Sequence, residues 1–389
     1  MTGFQKLKEY CFAGLQITEE DISLLRLCMM NESGPEELSA YYQTIDFDKL
    51  RGQQVCALAE FSRKVQYQGV PGQLIPRIRG LIRYYTVLNA KQMQEFYCLL
   101  KLLNANKIDV MLMKGGAMKA FYVPKSIRHM GDVDFVVKRA DFQRACKVIE
   151  ETGEYVCFIR SHHMTVQRNG QILELHNSFL KENQKRDNEE VFWKEIQETH
   201  VQEEKVYVPV PEVLLIQVLT NIFGDVVRGN FYKTHWVRWV VDSVRIIDQN
   251  ELDWNKIQLY CQKFHVTLAV RTMLEILNDI LPGKVDKSIL QSLQIGQADA
   301  RKIPIALKMN KCYVKFMGYR DKNAVLYIMW GIIFHWYDHC YIANHSNWWS
   351  DLITFPQYVK GVWGYKTWRE CWTMLYQKLR NPKYGDFMF

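Results

Sequence analysis

Two aspartates spaced as Asp132-Val133-Asp134 are the residues of this 389-residue chain whose types and spacing speak most directly of chemistry. In an extended strand, residues two apart point to one face, roughly 7 Å apart along the chain. Both carboxylates would then stand side by side on a segment that is otherwise apolar, Val133-Asp134-Phe135-Val136-Val137. Like charges so placed repel and resist burial, and a divalent cation relieves both penalties. A third carboxylate, Glu174, lies in Gln171-Ile172-Leu173-Glu174-Leu175-His176, where Glu174 and His176 share one strand face opposite Leu173 and Leu175. Upstream, the apolar run Val110-Met111-Leu112-Met113 ends in Lys114-Gly115-Gly116. Glycines at such a turn permit positive φ and let a phosphate approach backbone N–H groups. Three carboxylates able to hold one or two cations, beside a turn open to phosphate, are the equipment of phosphoryl transfer from a nucleotide.

Each piece has a plain structural alternative. Asp-x-Asp also occurs in surface turns, a Gly-Gly pair also makes tight strand-to-helix turns, and Glu174 alone could face solvent on an edge strand. Their order along the chain carries more weight than any one of them.

The elements that must position these residues occupy the middle of the chain. Residues 110–113 read as a strand, 117–122 as a short helix, and 123–131 as a loop containing Pro124. Residues 132–137 have strand composition. Residues 140–151 form an amphipathic pattern with Asp141 near its start and Gly153 just past its end. Strands are expected at 155–159 and 163–167, and Asn169-Gly170 is a strong hairpin signal joining 163–168 to 171–176. Residues 177–205 read as polar loop or helix edge, and 206–210 as one more short strand. Helical patterns dominate both flanks. Thr18-Glu19-Glu20-Asp21 marks a helix start, 88–104 is helical, and after Pro211 the segments 212–222, 236–247 and 323–337 follow. The expected class is α+β: a mixed sheet with flanking helices, preceded by a helical region over 1–105, a core over 106–210, and a C-terminal helical region over 211–389.

Strand, Gly-Gly turn, short helix, Asp-x-Asp strand, helix and acid-bearing hairpin is an order that resembles the nucleotidyltransferase fold of the DNA polymerase β-like superfamily. Leu112-Met113-Lys114-Gly115-Gly116, Arg128-His129-Met130-Gly131-Asp132-Val133-Asp134 and Leu173-Glu174-Leu175-His176 closely resemble one branch of it, a poorly characterised bacterial nucleotidyltransferase family. The resemblance spans residues 85–250 and implies Asp132, Asp134 and Glu174 as catalytic carboxylates and metal ligands. It also implies Lys114, Gly115, Gly116 and Arg128 at the nucleotide's phosphates. His163 and His176 sit where the family often has histidines, although a lone histidine is more often a hydrogen-bonded structural residue. Val237-Arg238-Trp239-Val240-Val241-Asp242 is similar to a family helix segment. Arg238 and Asp242, four apart on one helix face, are expected to form an ordinary ion pair, on a helix able to close over the nucleotide. The chain departs from the family in a longer gap between Gly116 and Asp132, and in reading Val218-Leu219-Thr220-Asn221 where relatives tend to carry a histidine.

The function this implies is transfer of a nucleoside monophosphate from a nucleoside triphosphate (ATP or another NTP) to an unidentified acceptor, a small molecule, sugar or protein. Mg2+ or Mn2+ would serve in a two-metal mechanism. The alternative is an inactive nucleotide-binding module of the same fold. Bulk composition fits either. A net charge of +8, with lysine and arginine dispersed, suits a phosphorylated substrate without forming the dense basic stripe of a nucleic-acid binder. The ten cysteines form no CxxC pair, which suggests reduced core residues in a cytoplasmic protein. The most membrane-like stretch, residues 324–337, is too short to span a bilayer and contains His335 and Trp336.

Overall fold

The computed structural model describes residues 2–30, 33–159, 163–180, 189–229, 236–320, 322–343, 348–362 and 367–380. Its centre is a seven-stranded mixed sheet: β1 (Val110–Leu112), β2 (Val133–Val137), β3 (Val156–Ile159), β4 (His163–Arg168), β5 (Gln171–His176), β6 (Ile196–Val201) and β7 (Glu204–Pro209). The spatial order is β3-β4-β5-β2-β1-β7-β6. β2 runs parallel to β5 and antiparallel to β1, so the two acid-bearing strands are neighbours at the middle of the sheet. β2 is buried along its whole length, which is why it reads as an apolar run broken only by Asp134.

The β4–β5 hairpin turns on Asn169 and Gly170, at φ +51° and +74°, the left-handed pair that this two-residue connection requires. It fixes the register that sets Thr165 opposite Glu174 and His163 opposite His176. Helices cover the sheet. The longest, Ile75–Ala105, lays Phe96 against Phe135, their ring centroids 5.4 Å apart, on the face away from Asp134. Helix Glu19–Met29 begins as the sequence indicates: Thr18 and Asp21 form a reciprocal capping box at its start. One apolar core runs from Leu7 through the sheet to Cys371, and a smaller one gathers Leu24, Leu38, Leu58 and Ile78 among the N-terminal helices. The α+β class is therefore met.

Three local readings need correction. Residues 196–201 form strand β6, which pairs antiparallel with β7 as a second hairpin. Its sequence, Ile-Gln-Glu-Thr-His-Val, is polar on both faces because it lies at the sheet edge, so no alternation marks it. Strand β2 begins at Val133, leaving Asp132 on the approach to it. The turn after β1 is helical from Lys114 and continues as a π-helical turn over Met118–Tyr122. The segment around 324–337 is the helix Ala324–Ala343, and among the described residues no helix is long and apolar enough to cross a membrane.

Candidate active site

The parallel register of β2 and β5 sets Asp134 directly beside Glu174 and Val136 beside His176. Alternation along each strand then puts Asp134, Glu174 and His176 on one face, with Phe135, Leu173 and Leu175 packed into the core on the other. One ligand atom each from Asp134, Glu174 and His176 lie within 4.8 Å of one another. The Asp132 carboxylate is not part of that group, although its charge acts on both Asp134 and Glu174.

Asp134 is buried, at 5% exposure, and its Oδ1 is the hub of the cluster. It accepts a hydrogen bond from Lys114 Nζ at 2.7 Å and lies 2.9 Å from His176 Nε2, which is itself 3.6 Å from Glu174 Oε2. Burial opposes ionisation of Asp134, but the Lys114 ammonium and the His176 bond outweigh it and hold the carboxyl well below the usual carboxylate range. Its neighbours move the other way. The Asp134 charge, and then burial, push Asp132 up; burial, and then Asp134, push Glu174 up. Burial works against the Lys114 ammonium, yet Asp134, Glu174 and Asp132 together carry it above its ordinary value. The site thus holds one firmly ionised carboxylate beside two that gain protons more readily than usual. His163 stands next to this group, its ring centroid 5.7 Å from that of His176.

The Lys114-Gly115-Gly116 turn is built differently from the expectation. Lys114 itself adopts the left-handed conformation, at φ +45°, and neither glycine does. A non-glycine residue held there stores about 1–3 kcal/mol that the surroundings must offset. The restraint is visible: the Lys114 N–H donates to Gln217 Oε1 at 3.0 Å, while Gln217 Nε2 donates to Phe179 O at 3.1 Å. The glycines serve close approach. A Cβ on Gly115 would lie 2.1 Å from Arg128 Nη1, and one on Gly116 would lie 2.8 Å from Leu112 Cδ2 and 3.2 Å from Val133 Cγ1. The side-chain position of Gly115 is therefore filled by Arg128.

Arg128 is only 3% exposed, and its guanidinium donates through Nε and Nη2 to both oxygens of Asp242, at 2.9–3.2 Å. Asn89 Nδ2 donates to its carbonyl at 2.5 Å. This overturns the expected Arg238–Asp242 pair: Asp242 is taken by Arg128, which reaches it from the loop ahead of β2 in a two-pronged geometry that Arg238, on Asp242's own helix, does not adopt. Arg238 makes no ion pair with the described residues. It feels Arg128 as a like charge and Asp242, Asp132 and Asp134 as opposite ones, and burial followed by Arg128 pushes its guanidinium below its ordinary value. Helix Trp236–Gln249 thus brings an uncommitted cation to the acid cluster.

Sequence reading missed two contributors, Gln217 and Asn89. Gln217 had a signal, as the one amide in the apolar run Val213-Leu214-Leu215-Ile216-Gln217-Val218-Leu219 of helix Pro211–Val227. Asn89 carried none, since a polar residue on a long helix is ordinarily solvated. In the segment Val218-Leu219-Thr220-Asn221, the Thr220 hydroxyl donates to Ile216 O at 2.8 Å within its own helix.

A family model described as "Uncharacterised nucleotidyltransferase" matches residues 50–282. Among solved structures, the crystal structure of an antigenic nucleotidyltransferase-like protein from Paracoccidioides brasiliensis is similar at 17% identity. That similarity covers 52% of this chain and 93% of the other, with a TM-score of 0.35. No curated protein matches the chain. The family match takes in more than half of the sequence and every residue of the acid cluster, so the chain belongs to this uncharacterised nucleotidyltransferase family.

Proposed function

We propose that the protein transfers a nucleoside monophosphate from a nucleoside triphosphate to the hydroxyl of an acceptor, with Mg2+ or Mn2+ held at the acid cluster. The observation that carries this reading is the in-register pairing of Asp134 with Glu174 on one sheet face, with His176 completing a donor set inside 4.8 Å. The two hard carboxylate oxygens suit Mg2+ or Mn2+, and Asp132, outside that set, would share a second ion. Bound there, divalent cations would neutralise charge at the α-phosphate and pyrophosphate.

The chain's own groups divide the remaining work. Arg238, without an ion-pair partner among the described residues, is the cation offered to the triphosphate. Lys114 holds Asp134 ionised and would turn toward phosphate once a metal takes that oxygen. Glu174, through the carboxylate oxygen that does not hold metal, would be the base for the acceptor hydroxyl. The hydroxyl oxygen bonds to the α-phosphorus, the bond to the bridging oxygen breaks, pyrophosphate leaves, and the proton goes to Glu174. Arg128 acts through position, filling the space beside Gly115 and tying the loop ahead of β2 to Asp242. The acceptor would enter from the β5–β4–β3 side, where Phe158, Thr165 and Glu174 form one row across the sheet and Phe158 is 53% exposed. Release of pyrophosphate that requires magnesium and is lost in Glu174→Gln tests this reading.

One observation favours a second reading. The Lys114 ammonium rests on the carboxylate oxygen a metal would use, which suits a module that binds nucleotide without turnover. Nucleotide binding that is tight, independent of metal and unaccompanied by pyrophosphate release would select it.

A further inference from the structure

A cavity of about 380 Å³ lies away from the acid cluster, where helices Glu19–Met29 and Gly52–Lys64 meet helix Trp236–Gln249. Its volume falls in the range of small-molecule sites. Its charges do not balance. Both acids in its lining are already spent: Glu60 accepts from Arg245 Nη2 at 2.8 Å and from the Ile127 N–H at 2.9 Å, and both oxygens of Asp248 accept from Lys284 Nζ at 2.9 Å. Arg63 and Lys64, also in the lining, meet no carboxylate among the described residues; Arg63 donates only to the Lys125 carbonyl, at 3.0 Å. Arg245 is 7% exposed, and its Nη1 has no partner. Apart from the Gln249 amide, the remainder of the wall is apolar, with Met30, Phe61 and Val244.

From this we infer that the cavity is a second ligand site, for a small organic anion whose charged group meets Arg63, Lys64 and Arg245 while its apolar body lies against Phe61 and Val244. Two uncommitted cations over an apolar floor select an anion with a hydrophobic part, rather than a bare inorganic ion or a neutral molecule. The cavity is mechanically close to the acid cluster. Glu60, which holds Arg245, also holds the Ile127 N–H, and the next residue is Arg128. Arg245 and Asp242 lie three residues apart on one helix, so they share a side of it. An occupant that draws Arg245 from Glu60 therefore acts on the segment that seats Arg128.

The test uses the full chain and phenyl phosphate as probe, with binding read by isothermal titration calorimetry. The expected result is 1:1 binding that weakens at least tenfold in Arg63→Glu/Lys64→Glu. Inorganic phosphate should bind at least tenfold more weakly than phenyl phosphate, and excess magnesium–ATP should not displace the probe. A matched reversal at two exposed lysines elsewhere, Lys49→Glu/Lys147→Glu, should leave binding unchanged. No binding by the wild-type protein, equal loss in the control pair, equal affinity for inorganic phosphate, or displacement by the nucleotide would each overturn the assignment. None of these readouts needs turnover, so the site stands or falls apart from the transferase reading.

Discussion

Arg128 and Asp242 are joined across 114 positions of sequence by a buried two-pronged ion pair, with Arg128 Nε 3.0 Å and Nη2 2.9 Å from the two carboxylate oxygens. The pair ties the loop ahead of β2 to helix Trp236–Gln249, and so fixes how that helix faces the acid cluster. Removing one partner leaves an uncompensated buried charge. Asp242→Ala is expected to cost about 3–5 kcal/mol in urea unfolding, whereas Arg128→Met/Asp242→Leu, which removes both charges, should cost clearly less. Equal losses in the two variants would mean that the pair contributes through packing alone.

Gly115 supplies a second, sharper test of the same arrangement. A methyl group there meets a guanidinium that Asp242 prevents from swinging away. Gly115→Ala is therefore expected to destabilise by about 1–3 kcal/mol and to weaken nucleotide binding. Gly131→Ala, whose added Cβ meets nothing within 4 Å, is the matched control and should be nearly neutral. Equal stability and nucleotide affinity in the two variants would separate Arg128 from the site.

Lys114 should show effects of opposite sign on metal and on nucleotide. Its ammonium competes with a cation for Asp134 Oδ1 and then serves the triphosphate. In Lys114→Gln, Mn2+ measured by electron paramagnetic resonance should bind more tightly in the absence of nucleotide. The magnesium–nucleotide complex should bind more weakly, about tenfold for the loss of one charge-assisted contact. Weakening of both would show that Lys114 only builds the fold.

The raised carboxyls give a pH dependence with a definite sign. Glu174 holds a proton more tightly folded than unfolded, because burial and the Asp134 charge disfavour its ionised form. Its ionisation therefore costs stability at neutral pH, and that cost fades as the pH falls through its raised value. Asp134, held low, contributes in the opposite sense: its stabilisation is present above its ordinary value and is lost only in stronger acid. Metal-free Glu174→Gln should thus be more stable than the wild type at about pH 7, with the difference shrinking toward about pH 4, where the unfolded-state carboxyl also titrates. A variant less stable than the wild type at pH 7 without metal would contradict this.

What the sequence made legible was local. Asn169-Gly170 announced its hairpin because only a left-handed pair closes that turn, and the register of β4 on β5 followed from it. Asp134 and Glu174 stood out through the order of the elements that carry them, Gly-Gly turn, Asp-x-Asp strand and acid-bearing hairpin, and not through either acid alone. The partnership of β2 with β5 was not, since parallel neighbours are chosen by the packing of helices between them. The destination of Arg128 was hidden for the same reason: spacing of four suggests Arg238 for Asp242, and only the tertiary fold brings a better-oriented guanidinium. Edge strand β6 escaped because its exposed position removes the pattern by which strands are recognised.

The most direct test of the transferase reading compares ATP labelled at the α-phosphate with ATP labelled at the γ-phosphate, incubated with magnesium, the full chain and a cell extract as acceptor source; the other three α-labelled triphosphates are run in parallel. The expected result is a new product that carries the α-label and not the γ-label, made by the wild type and absent with Asp134→Asn. Label from the γ-position in the product, or α-label transfer undiminished in Asp134→Asn, would contradict it.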